Sequence, residues 1–294
     1  MKQEIDNFIV YMHEIKHTSN NTEISYKRDL YKMVQFLEGQ GITRMDKITS
    51  TNLNSYMLHM EKQGLAASSI SRSIASMKAL FNYLFHMKEI EEDPSYLLKA
   101  PKVEKKKPEI LSIKEMENLL NEPKTSTPKG CRDKAMLELL YATGMRVTEL
   151  ITLKMEHVNL SMNYIVCKDH EKERVIPFGE SSKKALMMYL AGSREILLNG
   201  EESDILFTNC SGGQMSRQGF WKLVKSYGKK AGIVHEITPH TFRHSFAAHL
   251  VENGADLRSV QEMMGHSDIS AMHVYMNLGS SKIRDVYAKT HPRG

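Results

Sequence analysis

The run Ala100-Pro-Lys-Val-Glu-Lys-Lys-Lys-Pro108 does most to limit how this chain can fold. Proline at either end removes backbone donors and fixes φ, and the four lysines between them repel one another. Neither a compact helix nor a paired strand is favoured there, so residues 101–108 read as an extended basic linker. It divides the 294 residues into an N-terminal domain over 1–100 and a C-terminal domain over 109–294, both of ordinary domain size. Its lysines allow two readings: a solvated loop, or a strap lying along a phosphate backbone. Just beyond it, Ser112-x-x-Glu115 is a capping-box signature that opens a new helix.

The N-terminal domain reads as four helices. One starts over Asn7 to Ile15. A second follows Thr22, read as its N-cap, and carries Ile24, Leu30, Val34 and Leu37 near helical spacing. A third follows Thr51 through Leu53, Tyr56, Met57 and Met60. The fourth follows Ser68/Ser69, with Ile70, Ile74, Met77, Leu80, Phe81, Leu84 and Phe85 on a broad apolar stripe, and Gly41 and Gly64 mark breaks. Apolar residues make up 41% of the chain, enough for a buried core, and the sparse glycine and proline (17 and 8) favour helix.

In the C-terminal domain, helices are expected at 112–121, 130–143, 180–198, 216–231 and 240–253, with shorter ones at 256–263 and 268–276. Asn163–Lys168 and Arg174–Phe178 read as two short strands around a polar turn, with Ile205–Thr208 as a third. The fold class is mainly α with a small β-sheet. Cys131, Cys167 and Cys210 are odd in number and far apart, which argues against a disulfide framework or a thiolate metal site. No run approaches the ~20 apolar residues of a membrane span, and the N-terminus lacks a signal-type apolar stretch, so a soluble, cytoplasmic protein is expected. Lys plus Arg exceed Asp plus Glu by 40 to 35, a mild excess that fits a nucleic-acid binder without requiring one.

Four clusters could carry chemistry. In Ala142-Thr-Gly-Met-Arg146-Val-Thr-Glu-Leu150, Gly144 suits a helix C′ position and Arg146 the tight connection to the next helix. In Val166-Cys-Lys168-Asp-His-Glu-Lys172-Glu-Arg174, a lysine sits on a hairpin. In Thr238-Pro239-His240-Thr-Phe-Arg243-His244, Pro239 suits the first helical turn, His240 and Arg243 share a face, and Phe242, Phe246 and Leu250 bury a neighbouring one. His244 and His249 read as structural. In Met264-Gly265-His266, Gly265 permits a sharp turn, and Tyr275 follows nine residues after His266.

Each cluster alone has a bland reading: a capping arginine, a solvated lysine, a core tyrosine. Together they give two arginines, two histidines, a lysine and a tyrosine, a cationic site with a hydroxyl nucleophile and no carboxylate pair spaced for metal. A phosphodiester gains negative charge as it is attacked, and guanidiniums neutralise that charge with a fork that can bind two oxygens. A tyrosine, ordinarily near pKa ~10, loses its proton more easily beside cations, and a lysine can protonate the leaving alkoxide. Phosphoryl transfer through a protein–DNA bond, without metal or other cofactor, is the reaction these groups suit.

The strings ATGMRVTEL, PHTFRHSFAAHL and MMGHSDISAMHVY resemble, in order and spacing, the signature boxes of the tyrosine recombinases, the phage-integrase family. NTEISYKRDL and SSISRSIASMKALFNYL resemble the family's SAM-like core-binding domain, and YAKTHPRG the ending of bacterial Xer recombinases. The resemblance implies a catalytic domain in which Arg146 and Arg243 clamp the scissile phosphate. It gives His240 a part in proton movement or phosphate binding, makes His266 a hydrogen-bond donor to the phosphate and makes Tyr275 the nucleophile of a 3′-phosphotyrosyl link. It also implies duplex DNA as partner, a clamp of two domains, and a homo- or hetero-tetramer on two sites, with Xer-type dimer resolution favoured. The family's Gly-Lys-Gly-x-Lys-x-Arg hairpin is altered here: CKDHEKER lacks both glycines, leaving Lys168 as the expected general acid and Lys172 as its rival. Ile283, Val286 and Tyr287 fall at i, i+3, i+4 on an expected tail helix that packs on its own subunit or, by resemblance, docks into a neighbour. The alternatives are a mobile-element integrase, a type IB topoisomerase and a non-catalytic architectural DNA-binding protein.

Overall fold

The computed structural model describes residues 1–102, 109–169, 172–265, 287 and 289–293. It divides into two compact units, Met1–Lys106 and Lys107–Gly294. Both are mainly helical, and the second carries one small antiparallel sheet. Among the described residues no helix is long and apolar enough to cross a membrane.

The first unit contains α1 (Lys2–Glu14), α2 (Asn20–Glu38), α3 (Ser50–Lys62) and α4 (Ala67–His86). α1 begins earlier than the sequence suggests, because its polar first turn still buries Ile5 in register with Phe8 and Met12. The cap of α2 is Ser19, whose hydroxyl accepts from the Thr22 amide. Thr22 was the expected cap, but it lies inside the first turn. α3 is capped by Thr49 in a reciprocal box with Asn52, two residues before the expected Thr51. On α4 the apolar stripe is buried from Ile70 to Leu84, whereas Phe85 is exposed. Ile24 on α2 is exposed as well, while Leu30, Val34 and Leu37 are fully buried. Beneath them the half-exposed Arg72 grips the buried Asp29 with two hydrogen bonds of 2.7 and 3.1 Å.

In the second unit α5 (Ile113–Asn121) starts at Ser112, which forms the expected capping box with Glu115. α6 (Pro128–Thr143) is the axis of this unit, buried on nearly every side from Gly130 to Thr143. A helix apolar all round belongs in a core, and the exceptions on α6 are paired. Asp133 accepts from Arg132 and from the Tyr227 hydroxyl, and Glu138 from Lys134 and Arg293. α7 (Val147–Ile151), the helix that follows the tight connection at Arg146, is too short to show periodicity.

The sheet has the order β1-β2-β3, with β1 Val158–Asn159, β2 Tyr164–Asp169 and β3 Lys172–Pro177. Its third strand is therefore β1, not the expected Ile205–Thr208. That segment makes only isolated bridges, Ile205 with Lys154 and Thr208 with Gln214. The helix expected over 180–198 is interrupted: α8 (Glu180–Met188) passes through a wide turn at 189–193 into α9 (Arg194–Leu198), and Gly192 sits there at φ 144°. α10 (Arg217–Lys230), α11 (Pro239–Glu252) and α12 (Leu257–Met264) follow near the expected positions. The helix expected at 268–276 lies outside the described residues.

Tyr287 turns into its own unit. It is buried, stacks on His291 at 4.8 Å, and its hydroxyl accepts from the Gly179 amide at 3.2 Å. Thr290 O accepts from Asn253, and Arg293 pairs with Glu138. Of the three expected tail-helix residues, Ile283 and Val286 lie outside the described residues, and Tyr287 packs within its own subunit, one of the two readings left open.

Candidate active site

The site is assembled where α6 ends. Gly144 stops the helix in the left-handed conformation, φ 57°, as its sequence position suggests. A second constraint also requires glycine there, since a Cβ would stand 2.3 Å from the Phe246 ring of α11. This close approach lets the Gly144 carbonyl accept a 2.6 Å hydrogen bond from Arg243 Nη1. Two residues on, Arg146 is the N-cap of α7. α11 is entered through Thr238, whose hydroxyl accepts from the Thr241 amide, with Pro239 in the first turn. Phe242, Phe246 and Leu250 are fully buried along one stripe, which fixes the helix rotation and turns Arg243 inward.

Arg243 is 5% exposed, and a second bond runs from its Nη2 to the Met264 carbonyl. Burial, and then the nearby Arg146 charge, pull its guanidinium down to about 10. It stays protonated at neutral pH, so the fold maintains a buried cation in spite of like charge beside it.

Glu149 and Arg174 complete the cluster, and the sequence reading gave neither a role. Glu149 Oε2 accepts from the Arg146 backbone amide at 2.6 Å and from Arg174 Nη2 at 2.8 Å, while Oε1 accepts from Arg146 Nη1 at 3.1 Å. Burial pushes this carboxyl up, but the hydrogen bonds from Arg174 and the Arg146 amide, with both charges, more than offset it and hold the group below its usual value. The Arg146–Glu149 spacing of three on a short helix was visible in ATGMRVTEL. The tie from Glu149 to Arg174, 25 residues away, was not. Cys167, paired across the hairpin with Arg174, is buried, and its thiol is pushed up to about 12 by that burial.

Lys168 stands elsewhere. In the β2–β3 register it faces Glu173, with its ammonium 3.0 Å from that carboxylate and both side chains more than half exposed. Alternation along a strand puts Lys168 and Glu173 on the face opposite Cys167 and Arg174. His240 is exposed on the first turn of α11, one helical turn before Arg243, and its ring lies 6.2 Å from that of His244. His249 is structural: buried, it bridges the Tyr141 hydroxyl at 2.8 Å and the Leu111 carbonyl at 2.9 Å. Gly265 ends α12 at φ 63°, giving the turn that its sequence position suggested. His266 and Tyr275 lie outside the described residues. The structure thus brings Arg146 and Arg243 together, leaves Lys168 on the other face of its hairpin, and places His240 at the surface one turn from the buried arginine.

A helical catalytic unit that collects guanidiniums from a helix cap, a hairpin and an inner helix is built to hold an anion of the phosphodiester class. The chain belongs to the phage integrase family: residues 109–281 match the model of that family, and residues 5–88 match its N-terminal SAM-like domain. More particularly, it is a Xer-like tyrosine recombinase. It is 43% identical over 295 residues to the tyrosine recombinase XerD of Halalkalibacterium halodurans, covering 100% of this chain and 99% of that one. It is 42% identical over 296 residues to XerD of Listeria innocua, covering 100% of each. Among solved structures, the XerA recombinase is 26% identical with a TM-score of 0.52, over 99% of both chains. The XerH site-specific recombinase bound to its difH substrate shares the fold, with a TM-score of 0.71 at 22% identity over 94% of this chain and 81% of that one.

Proposed function

We propose that this enzyme recombines duplex DNA at specific sites in the bacterial cytoplasm, most directly in Xer-type resolution of chromosome or plasmid dimers, as a tetramer on two sites. Tyr275 Oη attacks the scissile phosphorus. The O–P bond to tyrosine forms as the P–O5′ bond breaks, the phenolic proton passes to solvent water, and the departing 5′ oxygen takes a proton from a lysine of the β2–β3 hairpin. The 5′-hydroxyl of a partner strand then attacks the 3′-phosphotyrosyl link and reverses the chemistry. Bond energy is kept in that link, so no ATP is consumed. Arg146 and Arg243 hold the non-bridging oxygens, His266 donates to one of them, and His240 assists proton movement or phosphate binding.

The observation that carries this reading is the cluster itself. Three guanidiniums around one carboxylate leave excess positive charge in a buried setting, where it acts most strongly on an anion. Full-length identity to XerD proteins supports the dimer-resolution role over that of a mobile-element integrase.

The test is a protein–DNA adduct that survives denaturant in the wild type and disappears in Tyr275→Phe; no adduct in the wild type would sink the reading. Sequencing the duplex bound by Tyr275→Phe separates a chromosomal or plasmid resolution site from the ends of a mobile element. As general acid, Lys168 must first release Glu173. Comparing Lys168→Ala with Lys172→Ala for cleavage of a nicked suicide duplex assigns the proton donor, and full cleavage by the first gives the role to Lys172.

A further inference from the structure

Two arginines from different elements bind consecutive carbonyls at the end of α12. Arg243 donates to Met264 O, and Arg174 donates from Nε to Met263 O at 3.0 Å. Carbonyls in the last turn of a helix lack helical partners and carry its negative dipole end, so cations are favoured there. The chain then turns at Gly265. A Cβ at that position would stand 3.0 Å from Arg174 Nη1 and 3.1 Å from its Cδ and Cζ, so the guanidinium lies against the Gly265 backbone. The same guanidinium reaches Glu149 through Nη2, and Glu149 holds both the amide and the side chain of Arg146. Arg174 is largely buried.

We propose that Arg174 is a positioning residue for strand cleavage: it fixes Glu149 so that Arg146 presents its guanidinium to the phosphate, and it fixes the turn at Gly265 that ends α12. This rests on the recombinase reading of the same site. One planar fork supplies both grips, with Nε on the α12 carbonyl and Nη2 on the carboxylate. Lysine, a point charge on a flexible stem, cannot reproduce that geometry.

The pH behaviour follows from what surrounds Glu149. Arg146 faces it from the cap of α7 and Arg174 from β3, while Arg243 of α11 and Cys167 of β2 lie within electrostatic range. Without Arg174, burial of Glu149 is opposed, among the described residues, by Arg146 and the more distant Arg243. The carboxyl then protonates at a higher pH and releases Arg146.

The experiment measures adduct formation on a nicked suicide duplex carrying the site recovered with Tyr275→Phe, across about pH 5 to 8. Arg174→Met and Arg174→Lys should both slow it by about 100-fold, the scale of a small misplacement of catalytic groups, while gel-shift affinity for the duplex stays near wild type. The Arg174→Met rate should climb with pH where the wild type does not, and adding Glu149→Gln should abolish that climb. A rate near wild type, or a loss equal at every pH and additive with Glu149→Gln, overturns the proposal. If the wild type forms no adduct, the recombinase reading falls instead, and amide exchange on the DNA-free protein judges the grip on α12. Faster exchange in Arg174→Met at the Gly265 amide, which bonds Glu262 O at 3.2 Å, with α6 unchanged, supports the grip. Unchanged exchange there overturns it.

Discussion

Replacing Gly144 with alanine tests how the fold places Arg243. Two separate penalties arise at this residue. Its φ of 57° is left-handed, which costs a residue with a Cβ about 1–2 kcal/mol. The new methyl would also stand 2.3 Å from Phe246 Cδ1 and 2.8 Å from Cε1 and Cγ, and overpacking a fixed core typically costs about 1–3 kcal/mol. The ring cannot retreat freely, because Phe246 is fully buried on the α11 stripe. The sum is about 2–5 kcal/mol, which for a unit of this size lowers Tm by roughly 5–15 °C. Trp221, the single tryptophan and part of α10, reports on this unit by fluorescence. Adding Phe246→Leu removes the steric penalty and leaves the backbone one, so the double variant should melt above the temperature that the two single losses predict together. Strict additivity, or a Gly144→Ala loss below about 1 kcal/mol, would refute the steric argument. DNA cleavage should fall more than stability at a permissive temperature, because the Gly144 carbonyl is one of the two that aim Arg243.

Two further predictions concern the buried histidines. His249→Phe orphans the Tyr141 hydroxyl and the Leu111 carbonyl, so a loss of about 2–4 kcal/mol is expected in the same fluorescence melt, and an unchanged melt would contradict the pairing. His291 is packed by Tyr287, Tyr141 and Phe246 with Arg293 beside it, and burial pulls it down to about 3, against the smaller opposing effect of the Tyr141 carbonyl. Its folded pKa lies below the ordinary ~6.5, so its contribution is full above that pH and falls with acid by up to about 1.4 kcal/mol per pH unit between roughly pH 6 and 4. Melting at stepped pH should show this acid loss, and His291→Gln should flatten it; an equal slope in both proteins would refute the assignment.

The sequence was most informative where one residue type has one local use. Ser112 with Glu115, Pro239 after Thr238, and the glycines at 144 and 265 each announce a terminus through backbone chemistry, and each stands where expected. It misled where several residues could serve. Ser19 and Thr22 are both good caps, and only the entry angle of the chain chooses Ser19. Ile205–Thr208 has strand composition but lacks a paired neighbour, and β1 takes the edge of the sheet although two residues carry almost no pattern. In the site, Arg146 and Arg243 were legible as types in order. The carboxylate between them was not, because an ion pair joining α7 to β3 is a property of three-dimensional packing. Lys168 shows the same limit: composition suggests a lysine on a hairpin, but the register decides which face it occupies.

The way the final residues are seated bears on how the chain can be studied. Tyr287, His291 and Arg293 form a stopper whose rings cover Tyr141 and whose guanidinium neutralises Glu138, a carboxylate only 1% exposed. Cutting the chain at Leu278 to ask whether the tail joins subunits would also uncork this socket. Of the described residues that pair with it, Lys134 would then be left to face the Glu138 carboxylate, and an aromatic floor would open to water. A truncated protein that failed to assemble would therefore say as much about a leaking interior as about lost partners. Exchange of the exposed Lys289, with the stopper in place, separates the two.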